Sequence, residues 1–282
     1  MTFRASKAER SGAARLPAAG FGERAFGAAV AVALSVELLF VLAVIGALVL
    51  FTDPPSLAKA IATPTARSAI WLTLVTVTLS SALSVVLAVP VAYGLVYWRI
   101  PCRSVVDTLI DLPIVMPPIA AGLALLLLFG YYLGDVMRPM GLYLPYTRAG
   151  IVVAQFFGTM TFAVRTTKAA FESIGPRLPA VAGSLGSPPW RVFRRVILPL
   201  ARPGLTAGAV LTWARCIGLF GPVIMFCGVT QNRTEVLATS IYLQNSIGQL
   251  EVAAAGTLIL LAIALTTLLL LKRLGVQSPL WQ

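Results

Sequence analysis

Six stretches of this 282-residue chain, 27–51, 69–97, 109–132, 150–170, 204–227 and 250–271, are apolar for about the 20 residues that a helix needs to cross a bilayer. That feature leaves few folds open. Inside hydrocarbon every backbone N–H and C=O must find its partner within the protein, which favours helices that satisfy their own groups. The sequence therefore predicts an all-α integral membrane protein, a bundle of six transmembrane helices. Its breaks are rich in proline and charge, as in Thr52-Asp53-Pro54-Pro55 and Arg99-Ile100-Pro101-Cys102-Arg103. The first run exceeds the apolar core of a cleaved signal peptide and is read as a retained span.

Charge orients the bundle. Basic residues in short loops stay on the cytoplasmic side, and six spans put both termini on one side. With the termini inside, sixteen of the 22 Lys and Arg residues fall in inside segments, and only Lys59, Arg67, Arg138, Arg148 and Arg233 fall outside. The expectation is a basic cytoplasmic tail over 1–26, a six-helix transmembrane domain over 27–273 with an elaborate cytoplasmic loop at about 172–202, and a second cytoplasmic tail over 274–282. A net charge of +12 otherwise invites a nucleic-acid reading, but these cations sit at the ends of apolar spans and form no solvated basic surface. The bilayer is the partner they imply, and nucleic acid is not.

Several chemistries are excluded by what is missing. There is no histidine, so histidine-dependent triads are ruled out, and Cys102, Cys216 and Cys227 match no metal-ligand spacing. Ten acids are scattered along the chain, with no clustered carboxylates of the kind a polytopic membrane enzyme uses. No phosphate-binding Gly-x-x-x-x-Gly-Lys-Ser/Thr loop is present, so the chain does not supply ATP chemistry itself.

The loop is more elaborate than topology requires. Leu178, Val181, Ala182 and Leu185 fall at i, i+3, i+4 and i+7, one apolar face of a short helix. Pro179 suits its first turn, and Gly186 suits the left-handed position that ends it. Ser187 is placed to cap a second helix with Pro188 at its first position, carrying Trp190, Phe193 and Ile197 on one face and Arg191, Arg194 and Arg195 on another. Leu198-Pro199 and Pro203-Gly204 are expected to bend the chain into the next span. A helix of two turns is unstable alone and needs a surface to dock against.

The run Ala180-Val181-Ala182-Gly183-Ser184-Leu185-Gly186, nine residues, then Val196-Ile197-Leu198-Pro199, resembles the cytoplasmic motif of ABC importer membrane subunits. That motif reads Glu-Ala-Ala, three residues, Gly, nine residues, Ile, one residue, Leu-Pro. The chain keeps Ala182, Gly186, Leu198, Pro199 and the spacing, and departs at Ala180, Val181 and Val196. Asp111 to Gly130, Phe162 to Arg165 with Ala169 to Glu172, and Ala214 to Pro222 resemble the permeases for molybdate, tungstate and sulfate. Thr234 to Tyr242 with Gly248 to Ala255 extends the likeness, which covers about residues 70–272.

The resemblance implies a permease subunit in the bacterial cytoplasmic membrane. It implies two such subunits, identical or homologous, two ATPases that bind ATP and Mg²⁺, and an external binding protein that delivers an oxyanion. The chain itself is expected to hold no cofactor. The ATPase-docking residues would be Leu178, Val181, Ala182, Leu185, Gly186, Trp190, Arg191, Leu198 and Pro199. The translocation pathway would include Arg215, the one basic residue well inside a span, with Gly218 and Gly221 beside it. Related permeases usually carry Glu at the position of Leu219, four residues beyond Arg215, and Glu37 is an alternative partner for that cation. The hydroxyls of Thr73, Thr76, Thr78, Ser80, Ser81 and Ser84 either line a passage or pack helices. Other readings are a permease for phosphate, phosphonate, polyamine or thiamine, a self-sufficient channel or ion-coupled carrier, and a membrane enzyme.

Overall fold

The computed structural model describes residues 21–273, and among them the secondary structure is helical throughout, with no strand. Five helices are long and apolar enough to span a membrane, or six when one bent pair counts as a span. The predicted tails lie outside the described residues, except that 21–26 belong to the first helix. The chain divides into two units, one ending at Leu50 and the other beginning at Phe51. The first unit is described by α1, Phe21–Phe51, whose exposed side chains are mostly apolar, Leu38, Leu39 and Phe40 among them, with Ser35 and Glu37 the polar exceptions in its middle. A helix that exposes this much apolar surface has hydrocarbon as its main solvent.

The second unit begins with α2, Pro54–Ala62, and α3, Pro64–Tyr97. Thr63 caps α3 by accepting a hydrogen bond from the Ala66 N–H at 3.3 Å, and Pro64 takes the first helical position. With 34 residues α3 runs for about 51 Å and extends well beyond a 30 Å hydrocarbon core. It packs against α7, Arg148–Glu172, which is capped by the Thr147 hydroxyl accepting from the Gly150 N–H at 3.0 Å. The facing stripes are small and polar: Ala69, Thr73, Thr76, Ser80, Ser84 and Ala88 on α3, with Ala154, Gln155, Thr159 and Ala163 on α7, are all buried. Small side chains let two helices approach closely where there is no hydrophobic drive to hold them together.

The third predicted span is not one helix. Residues Arg103–Val115 form α4 and Pro118–Leu126 form α5, extended by a π turn at Leu127–Tyr132, and the two are bent by 106°. Met116 and Pro117 are extended, with ψ of 132° at each, and two successive prolines cannot donate the bonds that would continue α4. A short helix α6, Gly134–Met137, follows.

The fifth predicted span, 204–227, is also interrupted. After α8, Arg177–Ser184, and α9, Pro189–Val192, the chain passes through a π turn at Phe193–Ile197 into α10, Leu198–Ile217. Together these make one helical rod from Pro189 to Ile217. Pro199 and Pro203, expected to break the entry, lie within it; the π turn shifts the hydrogen-bond register just where Pro199 lacks an N–H. The rod stops at Gly218, and α11, Gly221–Cys227, is a separate short helix. Helix α12, Leu237–Ser246, and α13, Leu250–Arg273, complete the unit.

Glycines set the tightest contacts. A Cβ on Gly208 would lie 2.5 Å from the Thr166 hydroxyl oxygen, and one on Gly204 2.6 Å from the Ala170 Cβ, so α10 rests directly on α7. At the loop end, Phe171, Val192, Ile197 and Ala201 form a core with Tyr93, Tyr97 and Phe193, and the Tyr97 hydroxyl donates to the Phe171 carbonyl at 3.1 Å.

Candidate functional site

The loop after α7 folds as a docking element would. Gly186 adopts φ of +80°, its N–H donates to the Gly183 carbonyl at 2.9 Å, and the Ser187 N–H donates to the Ala182 carbonyl at 3.2 Å. This pair of bonds is the left-handed glycine stop, and it requires the conformation that Gly186 supplies. The second helix begins one residue later than the sequence suggests. Ser187 is occupied in closing α8, so Pro188, extended at ψ of 152°, stands at the cap position and Pro189 is the first helical residue.

The apolar face of α8 is divided. Leu178, Val181 and Leu185 are exposed, Leu185 at 81%, whereas Ala182 turns inward onto the core of Val192 and Ile197. Trp190 is exposed and tilts over Phe193 with ring centroids 5.7 Å apart, and Arg191 is exposed beside it. Leu198 and Pro199 are half-buried in the rod and support the loop from below.

A charged cluster that the sequence reading passed over lies between α4 and α7. Arg165 donates from Nε to Asp111 Oδ1 at 2.6 Å and pairs through Nη2 with Asp111 Oδ2. Its Nη1 lies 3.4 Å from Asp107, whose other oxygen receives Lys168 Nζ at 3.0 Å. Thr161 adds a bond from its hydroxyl to the Ile110 carbonyl at 2.8 Å. Asp111, near the end of an apolar run, is one half of this two-toothed clamp. The signal was available as two helix-face pairs, Asp107 with Asp111 at i, i+4 and Arg165 with Lys168 at i, i+3.

The predicted pathway residues separate. Arg215 is exposed near the end of the rod, its guanidinium carbon 5.0 Å from the centre of the Phe162 ring. Among the described residues of its own unit, no carboxylate lies within ion-pair distance of it. Gly218 is exposed at the break. Gly221, expected to face the passage, is buried; a Cβ there would lie 2.5 Å from the Pro118 Cβ, so it is the crossing point of α11 and α5. Most of the hydroxyls of α3 are packing groups: Thr73 and Thr76 bond back to α3 carbonyls, and Ser84 shares a 3.2 Å hydrogen bond with Thr159. Thr78 alone of the six is exposed, accepting from Trp213 Nε1 at 3.3 Å.

A helical bundle with membrane-length spans, a sharply bent helix pair and a helical loop that leaves apolar side chains uncovered defines a polytopic membrane protein. The chain belongs to the family of binding-protein-dependent transport system inner membrane components, which matches residues 84–275. It is 33% identical over 244 residues to the molybdenum transport system permease protein ModB of Mycobacterium tuberculosis, covering 86% of this chain and 91% of that one. It is 33% identical over 223 residues to the sulfate transport system permease protein CysT of Escherichia coli, covering 78% and 79%. Its fold resembles that of a bacterial ABC transporter that imports the acidic polysaccharide alginate, with a TM-score of 0.71 at 18% identity over 87% of this chain and 94% of that one.

Proposed function

We propose that this chain is the translocation subunit of an ATP-driven importer for a tetrahedral oxyanion, molybdate or tungstate first and sulfate next. The observation that carries the reading is the loop: Leu178, Val181 and Leu185 are exposed on a short helix fixed by Gly186, an apolar surface of the kind that a second protein covers. The names of the molybdenum and sulfate permeases to which the chain is similar supply the substrate class. In this reading both termini and the loop are cytoplasmic. ATP and Mg²⁺ bind two partner ATPases, a second permease subunit completes the path, and an external binding protein delivers the anion. Closure of the ATPases on ATP shifts the bundle between inward- and outward-open states through α8 and the rod.

Arg215 is the cation that would meet the anion. An exposed guanidinium on a spanning helix is costly against lipid and favourable against water or an anion, and its place on the Phe162 face leaves its donor groups free to turn toward a passing oxyanion. The test is uptake of labelled molybdate and sulfate in cells lacking their own oxyanion importers, with the chain expressed beside its ATPase and binding protein. Uptake is expected to need all three components, with unlabelled molybdate competing better than sulfate. Arg215→Ala is expected to abolish uptake while the assembly still purifies intact. Full uptake by that variant removes Arg215 from the path, and uptake without the ATPase favours a channel or carrier.

A further inference from the structure

At the end of α3 away from the loop, a cavity of about 270 Å³ with mixed polar and apolar walls lies between α2, the start of α3, α12, the first two turns of α13 and the segment before α12. Lys59, Gln231, Glu235, Ser240, Gln244 and Gln249 line it. Glu235 is 2% exposed, on a turn fixed by the Thr230 carbonyl, which accepts from the N–H groups of Arg233, Thr234 and Glu235. Its Oε1 accepts from the Ser240 hydroxyl at 2.6 Å, and its Oε2 is buried with no partner. Lys59 does not supply one: its Nζ donates to Gln249 Oε1 at 3.1 Å, and among the described residues no ion pair involves Glu235.

A buried carboxylate with one idle oxygen is an incomplete structure. The cavity holds far more than the roughly 30 Å³ of one water. The carboxylate on its wall is an acceptor, and a charged N–H donor makes the strongest bonds to it. Among the described residues no group of three or more metal-binding side chains gathers here, which argues against a metal ion.

We propose that this cavity receives one lysine or arginine side chain of the external binding protein when that protein docks. The inference rests on the importer reading above, which places this end of α3 outside the cell. The test uses the full complex with its ATPases in lipid nanodiscs, titrated with the molybdate-loaded binding protein of the same importer. Glu235→Gln is expected to weaken docking by about tenfold or more, as loss of a buried charged pair does. Glu235→Lys is expected to abolish docking, and reversing one basic residue on the binding protein's contact face to Glu is expected to restore it. Rescue by a charge reversal distinguishes a contact from a stability defect, which no change in the other protein repairs. Unchanged docking by Glu235→Gln, or failure of every reversal to rescue Glu235→Lys, overturns the inference alone. Failure of the parent complex to bind any such protein overturns the importer reading with it.

Discussion

The loop and the α3–α7 seam invert each other. In the loop, Leu178, Val181 and Leu185 are apolar and exposed; in the seam, Thr73, Thr76, Ser80, Ser84, Gln155 and Thr159 are polar and buried. Neither pattern suits a soluble domain. The seam works because short hydroxyl side chains bond back to their own helices and allow close approach, as Thr159 does to the Gln155 carbonyl at 2.8 Å. The loop works only if something covers it. Burial in this protein is therefore set by the partner on each side, lipid, helix or second protein, and not by the polarity of the residue alone.

The largest break in that contrast is expected from Leu185→Asp. It places a charge on the most exposed apolar position of α8 and should weaken ATPase association by about 2–4 kcal/mol, the loss typical of an interface anchor. Co-purification of the ATPase and uptake would both be lost, while the melting temperature of the permease alone stays unchanged. Melting at a lower temperature would mean that Leu185 is structural. Gly186→Val should act in the same direction by straining the +80° turn, leaving ATP hydrolysis uncoupled from uptake.

The bundle was legible in the sequence because the length of an apolar run is itself a physical constraint, and α3, α7 and α13 begin and end within a few residues of their predicted bounds. The turn at Gly186 was legible for the same kind of reason, since few residues adopt that conformation. Pro117 and Pro118 marked where a helix bends or ends, and the break falls there; the continuity through Pro199 and Pro203 was not legible. A proline reports a missing donor, and only the surrounding packing decides whether the helix stops or shifts register. The Arg165 clamp joins residues more than fifty positions apart, each of which reads alone as a topological charge. Glu235 was hidden similarly, since its burial depends on a turn and on helices distant in sequence.

The seam offers a smaller and sharper comparison. Ser80 is buried, with its hydroxyl beside the buried Cys216 thiol. Ser80→Leu should destabilise the permease by about 1–3 kcal/mol through overpacking, whereas Ser80→Ala should change stability by less than about 1 kcal/mol, since only a weak contact to a thiol is lost. Thermal unfolding in detergent separates the two, and a large effect of the alanine variant would show that the hydroxyl matters beyond its size. The smallest effect is expected at the clamp. Arg165→Met removes ion pairs whose side chains are 24–38% exposed, so solvent screening limits the loss to about 1 kcal/mol, and it should shrink further in high salt. A much larger loss would place the clamp in a drier setting than its exposure indicates.

The unbroken rod from Pro189 to Ile217 makes the molecule a lever. Its 29 residues span about 43 Å, with Trp190 at one end and Arg215 at the other. A tilt of about 10° imposed at the Trp190 end would carry the guanidinium sideways by about 7 Å, more than the diameter of a small inorganic anion, with no need for any residue between them to change its own conformation. In such a device stroke length is fixed by helix length, so inserting or deleting a turn of α10 would alter how far Arg215 travels before it altered what Arg215 can bind.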